Sequence, residues 1–342
     1  NDGETAIILQ SEDKIFRKVS WRELNEQVAS MVGFFNSIGI KKGDRIAAYL
    51  PNIPETIIIM LATTAIGAIF SSASPDFGSD GVLDRFGQIK PSLLVTTDGY
   101  NYNGKEINIQ NKIEEVVKKL PSLKAVLIIP LIKTDSFFKN KFTYFFDKVL
   151  QKFKNSKISF IRLNLNDPLY IMYSSGTTGK PKCIVHSVGG VLLKHLVELG
   201  LHSNAKKNYK IFYFTTCGWM MWNWLVSGLL FGSTICLYDG SPFYPNGKVL
   251  WDFAEEHKIN YFGTSAKYID ALSKEKIKVI NSHKLSELHT IGSTCSTLVH
   301  ESFDYVYRNI KRDVHLASLS GGTDIVGCFV GGNPLSPVYR GE

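Results

Sequence analysis

The sequence is most informative at first in what it lacks. It has five cysteines, Cys183, Cys217, Cys236, Cys295 and Cys328, and no two of them form a C-x-x-C. This scatter argues against a disulfide framework and reads as the reduced thiols of a cytosolic protein. The eight histidines include no H-E-x-x-H pair, so no zinc site is expected. There is no initiator methionine and no signal peptide, and both ends are abrupt, so the chain is expected to be a piece of a longer protein. A run long enough to cross a membrane is also missing. The most apolar stretch, Pro54 to Phe70, has Glu55 as its only charge. It is short for a span and holds Thr56, Thr63 and Thr64, so it reads as a buried helix running into a strand. No internal repeat is visible, and neither an RNP-type nor a zinc-finger pattern points to nucleic acid.

What is present is a globular balance with a basic excess. A chain of 342 residues exceeds one compact core and suffices for two subdomains. The formal net charge of +8 favours anionic ligands. Helical and apolar-strand patterns alternate along the chain. Ser20 to Gly39 reads as a helix with a Ser20/Glu23 capping box, and Arg45 to Leu50 as a strand. Ser79–Ile89 is a helix stopped by Pro91, Ser92–Thr97 a strand, Lys105–Leu120 a helix and Ala125–Ile129 a buried strand. Beyond Asp167, strands are expected near Tyr170, Lys210, Thr234, Asn260, Leu288 and Asp313. Helices are expected from Ser187, Met220, Gly247 and Leu298. The fold class is therefore α/β, with two αβ subdomains of mostly parallel sheets packed in layers, 1–166 and 167–342. Leu131 to Arg162 stands apart, with eight Lys/Arg against two Asp among many aromatics. It reads as an edge insertion whose aromatics pack inward and whose lysines face water, rather than as a membrane or nucleic-acid surface.

The densest chemical signal is YSSGTTGKPK, Tyr173 to Lys182, which follows the apolar Leu169–Met172. Small hydroxyl residues and glycines after a strand expose backbone N–H groups, and such loops grip phosphate oxygens. Gly176 and Gly179 remove side-chain bulk, while Lys180 and Lys182 add charge. A nucleoside-triphosphatase P-loop does not fit. Pro181 follows Gly179-Lys180 where Ser or Thr should stand, and Ser174 occupies the place of the first glycine. The rival reading is a solvated turn with no ligand. Three further segments fall at carboxyl ends of expected strands, where parallel sheets gather ligands. They are TTCGWMMW (Thr215–Trp222), GSTCS (Gly292–Ser296) and SGGTD (Ser320–Asp324). Asp324 suits a Mg²⁺ carboxylate or, equally, a turn cap. Trp219, Met220, Met221 and Trp222 suit a pocket wall or simply helix core.

The order of these motifs, YSSGTTGKPK, then Gly218-Trp219, then a small-polar segment, then GGTD and finally Gly341-Glu342, resembles the acyl-adenylate-forming superfamily. That superfamily includes acyl-CoA synthetases, luciferases and peptide-synthetase adenylation domains, and the resemblance covers nearly the whole chain. HSVGG, TTCGWMMWNW, LYDGSP and SGGTDI are most similar to its acetoacetate-activating branch. The resemblance implies two steps. A carboxylate attacks the α-phosphate of ATP to give acyl-AMP and pyrophosphate, and the thiol of CoA then displaces AMP. It also implies that the family's chain continues past Glu342 with a smaller domain carrying a further lysine. This chain alone is then expected to bind ATP weakly and not to complete the reaction.

Carried over residue by residue, the resemblance gives Ser174, Ser175, Gly176, Thr177, Thr178, Gly179 and Lys182 to the β,γ-phosphates and Thr323 to the α-phosphate. Asp324 would hold Mg²⁺. The superfamily commonly has Glu there, so the shorter Asp is expected to act through a bridging water. Ser293, Thr294, Cys295 and Ser296, with Gly321 and Gly322, would border adenine and the acyl group, with Trp219 as a wall and Met220 and Met221 near the acyl chain. Acetyl-CoA synthetases read WQTE where this chain reads GGTD, so Gly321 is expected to leave room for a longer acid. Phe77 and Arg85, in FGSDGVLDRF, resemble a segment that meets CoA. Ligands are thus expected to be a small carboxylic acid, ATP with Mg²⁺, and CoA. The alternatives are another short acid (acetate, propionate, butyrate), a carrier protein as acceptor, and a non-catalytic nucleotide-binding module.

Overall fold

The computed structural model describes residues 2–12, 14–132, 142–174 and 179–342, which form two compact units. Unit one comprises Asn1–Glu4, Val19–Leu192 and Thr216–Trp219. Its seven-stranded sheet runs, in spatial order, Lys182–Ser187, Pro168–Ser174, Ile69–Ala73, Arg45–Tyr49, Leu93–Thr97, Ala125–Ile129 and Thr143–Phe145. Every adjacent pair is parallel except the first, which is an antiparallel edge. The Leu93–Thr97 and Ala125–Ile129 strands are buried along their whole length, as expected of parallel strands covered on both faces. Helix Trp21–Ser37 starts at the expected capping box. Ser20 Oγ accepts from Glu23 N at 3.2 Å, and the Glu23 carboxylate accepts from Ser20 N at 2.7 Å. Pro54–Ala65 is the buried helix and leads into the Ile69–Ala73 strand. No described helix is long and apolar enough to cross a membrane.

The helix expected from Lys105 starts later, at Gln110–Lys118. Lys105–Asn108 instead pairs with Gly99–Tyr102 in a hairpin. The turn residues Asn103 and Gly104 both have positive φ, 53° and 74°, and Asn-Gly is the pair that tolerates two such residues. In the basic aromatic segment, residues 133–141 lie outside the described residues. The remainder adds the edge strand Thr143–Phe145 and helix Phe146–Lys152. Its aromatics do pack inward at Tyr144 and Phe153, whose rings lie 4.9 and 6.2 Å from that of Phe34. Phe160, 74% exposed, does not.

Unit two comprises Thr5–Lys18, Leu193–Thr215 and Met220–Glu342. Its sheet runs His315–Ser318, Thr290–Thr294, Tyr261–Ser265, Lys210–Tyr213, Thr234–Asp239, Thr5–Ser11, Ile15–Ser20. From His315–Ser318 to Thr5–Ser11 all neighbours are parallel. One face packs on an aromatic core in which Trp251 stacks on Phe262 at 4.3 Å. A small antiparallel hairpin, Ser320–Gly322 with Gly327–Val330, closes the SGGTD segment. The helix at Val188–His195 loosens into a π-helix over Leu196–His202. A π-turn inserted in a helix often marks a functional constraint.

Candidate active site

In unit one the segment expected to bind phosphate lies between adjacent antiparallel strands, and Ser174 is the register partner of Lys182. Strand pairing thus fixes the two stems of the loop. Ser175, Gly176, Thr177 and Thr178 lie outside the described residues. Among the described residues, a side chain at Gly179 would meet nothing within 4 Å. Lys182 is exposed at the start of its strand. Helix Ser79–Ile89 tethers the second stem. Gln88 Nε2 donates to the Pro181 carbonyl at 2.8 Å, and Lys180 pairs with Asp84 at 3.4 Å. Of the two lysines flanking Pro181, Lys180 is therefore the one held back onto the protein.

Pro168–Ser174 lies parallel to Ile69–Ala73, so their carboxyl ends share one edge. Segment Thr216–Trp219 is sewn to that edge. Ser72 Oγ donates to the Cys217 carbonyl at 2.6 Å, and Cys217 Sγ donates to the Pro51 carbonyl at 3.1 Å. Gly218 lies so close to Phe77 and to Ser74 N that an added Cβ would sit 3.2 Å from each, tighter than most real contacts. Trp219 is half-buried beside them in sequence. Arg85 lies with its guanidinium 4.4 Å from the centre of the Phe77 ring and donates to the Gly81 carbonyl at 2.7 Å. It also lies 5.8 Å from the ring of Tyr173, which leads into the loop. Unit one therefore brings together the stems of the phosphate loop, Gly218, Phe77 and Arg85.

Unit two gathers the other set. The strand Thr290–Thr294 ends in GSTCS, where Cys295 takes φ 81°, a strained value for a non-glycine residue. Leu319 N donates to the Ser293 carbonyl at 2.7 Å and Thr294 Oγ1 donates to the Leu319 carbonyl at 2.8 Å. These bonds draw Ser293–Ser296 against the start of the SGGTD hairpin. Ser293 and Thr264 are register partners on neighbouring strands, 1% and 0% exposed, and neither hydroxyl has a hydrogen-bond partner among the described residues. Met220 and Met221 are buried at the start of helix Met220–Val226.

Thr323 and Asp324 open a single 3-10 turn, Thr323–Ile325, which closes on Val326 with φ 50° and ψ 33°. Thr323 is half-buried, and Asp324 is exposed with Oδ2 3.9 Å from the place of a Cβ on Gly322. Among the described residues no three His, Cys, Asp or Glu side chains cluster as a metal cage. A lone exposed carboxylate fits Mg²⁺ that arrives on nucleotide phosphates, which typically keeps only one or two protein ligands.

Gly321 carries a constraint from its own hairpin. A Cβ there would collide with the carbonyl oxygen of Gly327 and sit 2.5 Å from Cys328 Cα. The missing side chain makes room for the facing strand of its own hairpin. An indole at this position needs a different hairpin path. Sequence reasoning also passed over Lys194, His195 and Glu198, which close on the strand after Asp324. The available signal was a Lys-His-x-x-Glu pattern inside the otherwise apolar run Val191 to Leu201.

The family described as AMP-binding enzyme matches residues 2–340. An acetoacetyl-coenzyme A synthetase of Rhizobium meliloti (strain 1021) is 50% identical over 339 residues, covering 98% of this chain and 52% of that protein. An acetoacetyl-CoA synthetase of Xenopus tropicalis is 48% identical, covering 95% of this chain and 49% of that protein. Among solved structures, an acetoacetyl-CoA synthetase from Streptomyces lividans matches with a TM-score of 0.93 at 40% identity, over 99% of this chain and 52% of that one. The chain spans about half the length of the curated relatives it matches.

Proposed function

The chain belongs to the AMP-binding enzyme family, and from that premise we propose that it is the nucleotide- and acid-binding part of an AMP-forming acid–thiol ligase for acetoacetate. Acetoacetate, ATP and CoA would give acetoacetyl-CoA, AMP and pyrophosphate. The observation that carries the reading is the pairing of Ser174 with Lys182 at the mouth of a loop that does not fit the P-loop pattern. Relatives named acetoacetyl-CoA synthetase are 36–50% identical along nearly the whole chain.

In the first step a carboxylate oxygen bonds to the α-phosphorus while the bond to pyrophosphate breaks. Charge accumulates on phosphate oxygens, so the protein's part is positioning and electrostatic stabilisation. The Ser174–Lys182 loop holds the β,γ-phosphates, with Lys182 as the free-standing cation and Lys180 tethered to Asp84. Thr323 would donate to the α-phosphate, and Asp324 would hold Mg²⁺, whose charge would neutralise the polyphosphate. In the second step the thiol sulfur of CoA bonds to the acyl carbon and AMP leaves. Arg85, stacked on Phe77, meets a phosphate of CoA. Ser293–Ser296, Gly321, Gly322, Trp219, Met220 and Met221 would border adenine and the acyl group. Five cysteines that form no disulfide with one another accord with a cytosolic setting.

The test is acid-dependent ATP–pyrophosphate exchange by the natural full-length protein with acetoacetate, acetate, propionate and butyrate, with and without CoA. Acetoacetate is expected to give the highest kcat/KM, with net turnover only when CoA is present. Lys182→Ala should lower kcat/KM by about 100-fold. A preference for acetate, or turnover with a phosphopantetheine carrier in place of CoA, would replace the assignment. Absence of exchange with every acid would leave a nucleotide-binding module.

A further inference from the structure

We propose that Glu198, His195 and Lys194 act as positioning residues, forming a buried clamp that sets the backbone carrying Thr323 and Asp324. The inference rests on the reading of those two residues given above.

The clamp comes from the junction where the Val188–His195 helix opens into the π-helix. Glu198 is 5% exposed and its carboxylate accepts three hydrogen bonds. Trp224 Nε1 donates at 3.0 Å, the backbone N–H of Cys328 at 2.7 Å, and Lys194 Nζ at 3.1 Å. Lys194 Nζ also donates to the Cys328 carbonyl at 2.8 Å, so both backbone groups of Cys328 are held by one ion pair. Gly327 makes this approach possible, because a Cβ there would collide with the Glu198 carboxylate and sit 2.7 Å from Lys194 Cε. Burial first, and then Glu198, push the Cys328 thiol up to about 12, so it stays protonated beside the carboxylate.

His195 takes the preceding residue. It is 0% exposed, with Nε2 2.8 Å from the Val326 carbonyl and Nδ1 2.7 Å from Ser227 Oγ. A carbonyl only accepts, so Nε2 carries the proton. Ser227 Oγ holds the other ring nitrogen and donates to the Asn223 carbonyl at 3.2 Å, which ties the ring to the Met220–Val226 helix. Val326 itself sits at φ 50°, a genuine outlier for a β-branched residue, and such a conformation persists only where its surroundings over-determine it. The clamp supplies that over-determination one residue after the turn that presents Thr323 and Asp324. A turn free to relax at Val326 would carry Asp324 to a different place, although every residue of SGGTD remained intact.

The experiment uses the natural full-length protein and compares His195→Leu, His195→Gln, Glu198→Gln and Val326→Gly, with Asp324→Ala as the site control. Thermal unfolding, acetoacetate-dependent ATP–pyrophosphate exchange and its Mg²⁺ dependence are measured on each. Val326→Gly is the decisive variant, because relief of the left-handed strain offsets part of the cost of removing a buried side chain, 4% exposed. It is expected to lower Tm less than His195→Leu does, while kcat falls about 10- to 100-fold and more Mg²⁺ is needed for half-maximal rate. His195→Leu should show the same kinetic loss, and His195→Gln, which can still donate to the Val326 carbonyl, should recover part of it. Glu198→Gln should speed amide exchange at Cys328. Loss of exchange in Asp324→Ala together with wild-type kcat and Mg²⁺ dependence in Val326→Gly and His195→Leu would sink the clamp alone. Full activity in Asp324→Ala would sink the site reading and the positioning role with it.

Discussion

The two seven-stranded sheets hold their ligand-facing residues by different means. In unit one the phosphate-loop stems are set by backbone pairing, Ser174 against Lys182, and the side-chain tethers around them are exposed. In unit two the Thr323–Asp324 turn ends in a strained residue and leans on buried polar groups from a helix about 130 positions earlier in the chain. Exposed tethers work in high dielectric and carry little energy. Buried ones are costly to leave half-satisfied. Unit one should therefore tolerate changes around its loop, whereas unit two should transmit them.

The largest departure is expected at the hairpin of unit two. Gly321→Ala puts a methyl group into the Gly327 carbonyl, and backbone cannot rotate away as a side chain can. Overpacking of this kind costs about 1–3 kcal/mol, measurable as a shift in urea midpoint at unchanged slope. Gly321→Trp should cost more and depress activity toward every acid alike. If Gly321→Trp instead folded with wild-type stability and moved the preference to acetate, Gly321 would be a pocket residue and the hairpin argument would fail.

A smaller separation of the units should appear with acid. Seven of the eight histidines fall in unit two, and only His186 falls in unit one. Burial lowers the pKa of His257, outweighing the Glu256 carboxylate 4.0 Å away, and burial likewise lowers that of His315. A histidine whose folded pKa lies below its ordinary value binds its proton first in the unfolded chain. Stability from these two residues is therefore complete above an ordinary histidine pKa of about 6.5 and declines as pH falls from there toward the folded values. Hydrogen exchange followed from pH 7 toward pH 5, corrected for the intrinsic rate, should show Thr290–Thr294 and His315–Ser318 losing protection ahead of Leu93–Thr97. Equal loss in both sheets would remove the histidines as the cause.

The same contrast decides what could be read from the sequence. Unit one's phosphate loop is local, since its glycines, hydroxyls and lysines stand in one stretch behind an apolar strand. The Ser20/Glu23 cap and the Ser79–Ile89 helix were legible for the same reason. The Asn103–Gly104 hairpin was missed because YNY and KEIN carry no clean apolar alternation, although Asn-Gly was itself the signal. Thr5–Ser11 pairs with Thr234–Asp239 across more than 200 residues, a partner that no local pattern names. In SGGTD the residue types were legible and the hairpin constraint on Gly321 was not. The facing backbone at Gly327 and Cys328 appears only once the hairpin forms. Glu198 and His195 look like ordinary residues of an apolar helix until the fold brings Val326 and Cys328 to them.

The smallest effect is expected where unit one's side-chain tether is cut. Lys180 and Asp84 lie 3.4 Å apart with 73% and 40% of their side chains exposed, so their attraction is screened and part of it is spent on ordering a long side chain. Lys180→Ala should change stability by about 0–1 kcal/mol, less at high salt. Strand pairing and the Gln88 bond to the Pro181 carbonyl remain to hold the stem, so the KM for ATP should stay within about threefold of wild type, against a loss of about 100-fold in kcat/KM for Lys182→Ala. Stopped-flow nucleotide binding on the two variants at low and high ionic strength measures the difference. If Lys180→Ala proved as damaging as Lys182→Ala, the Asp84 pair would be a resting position for a second phosphate cation, and unit one would depend on its side chains as unit two does.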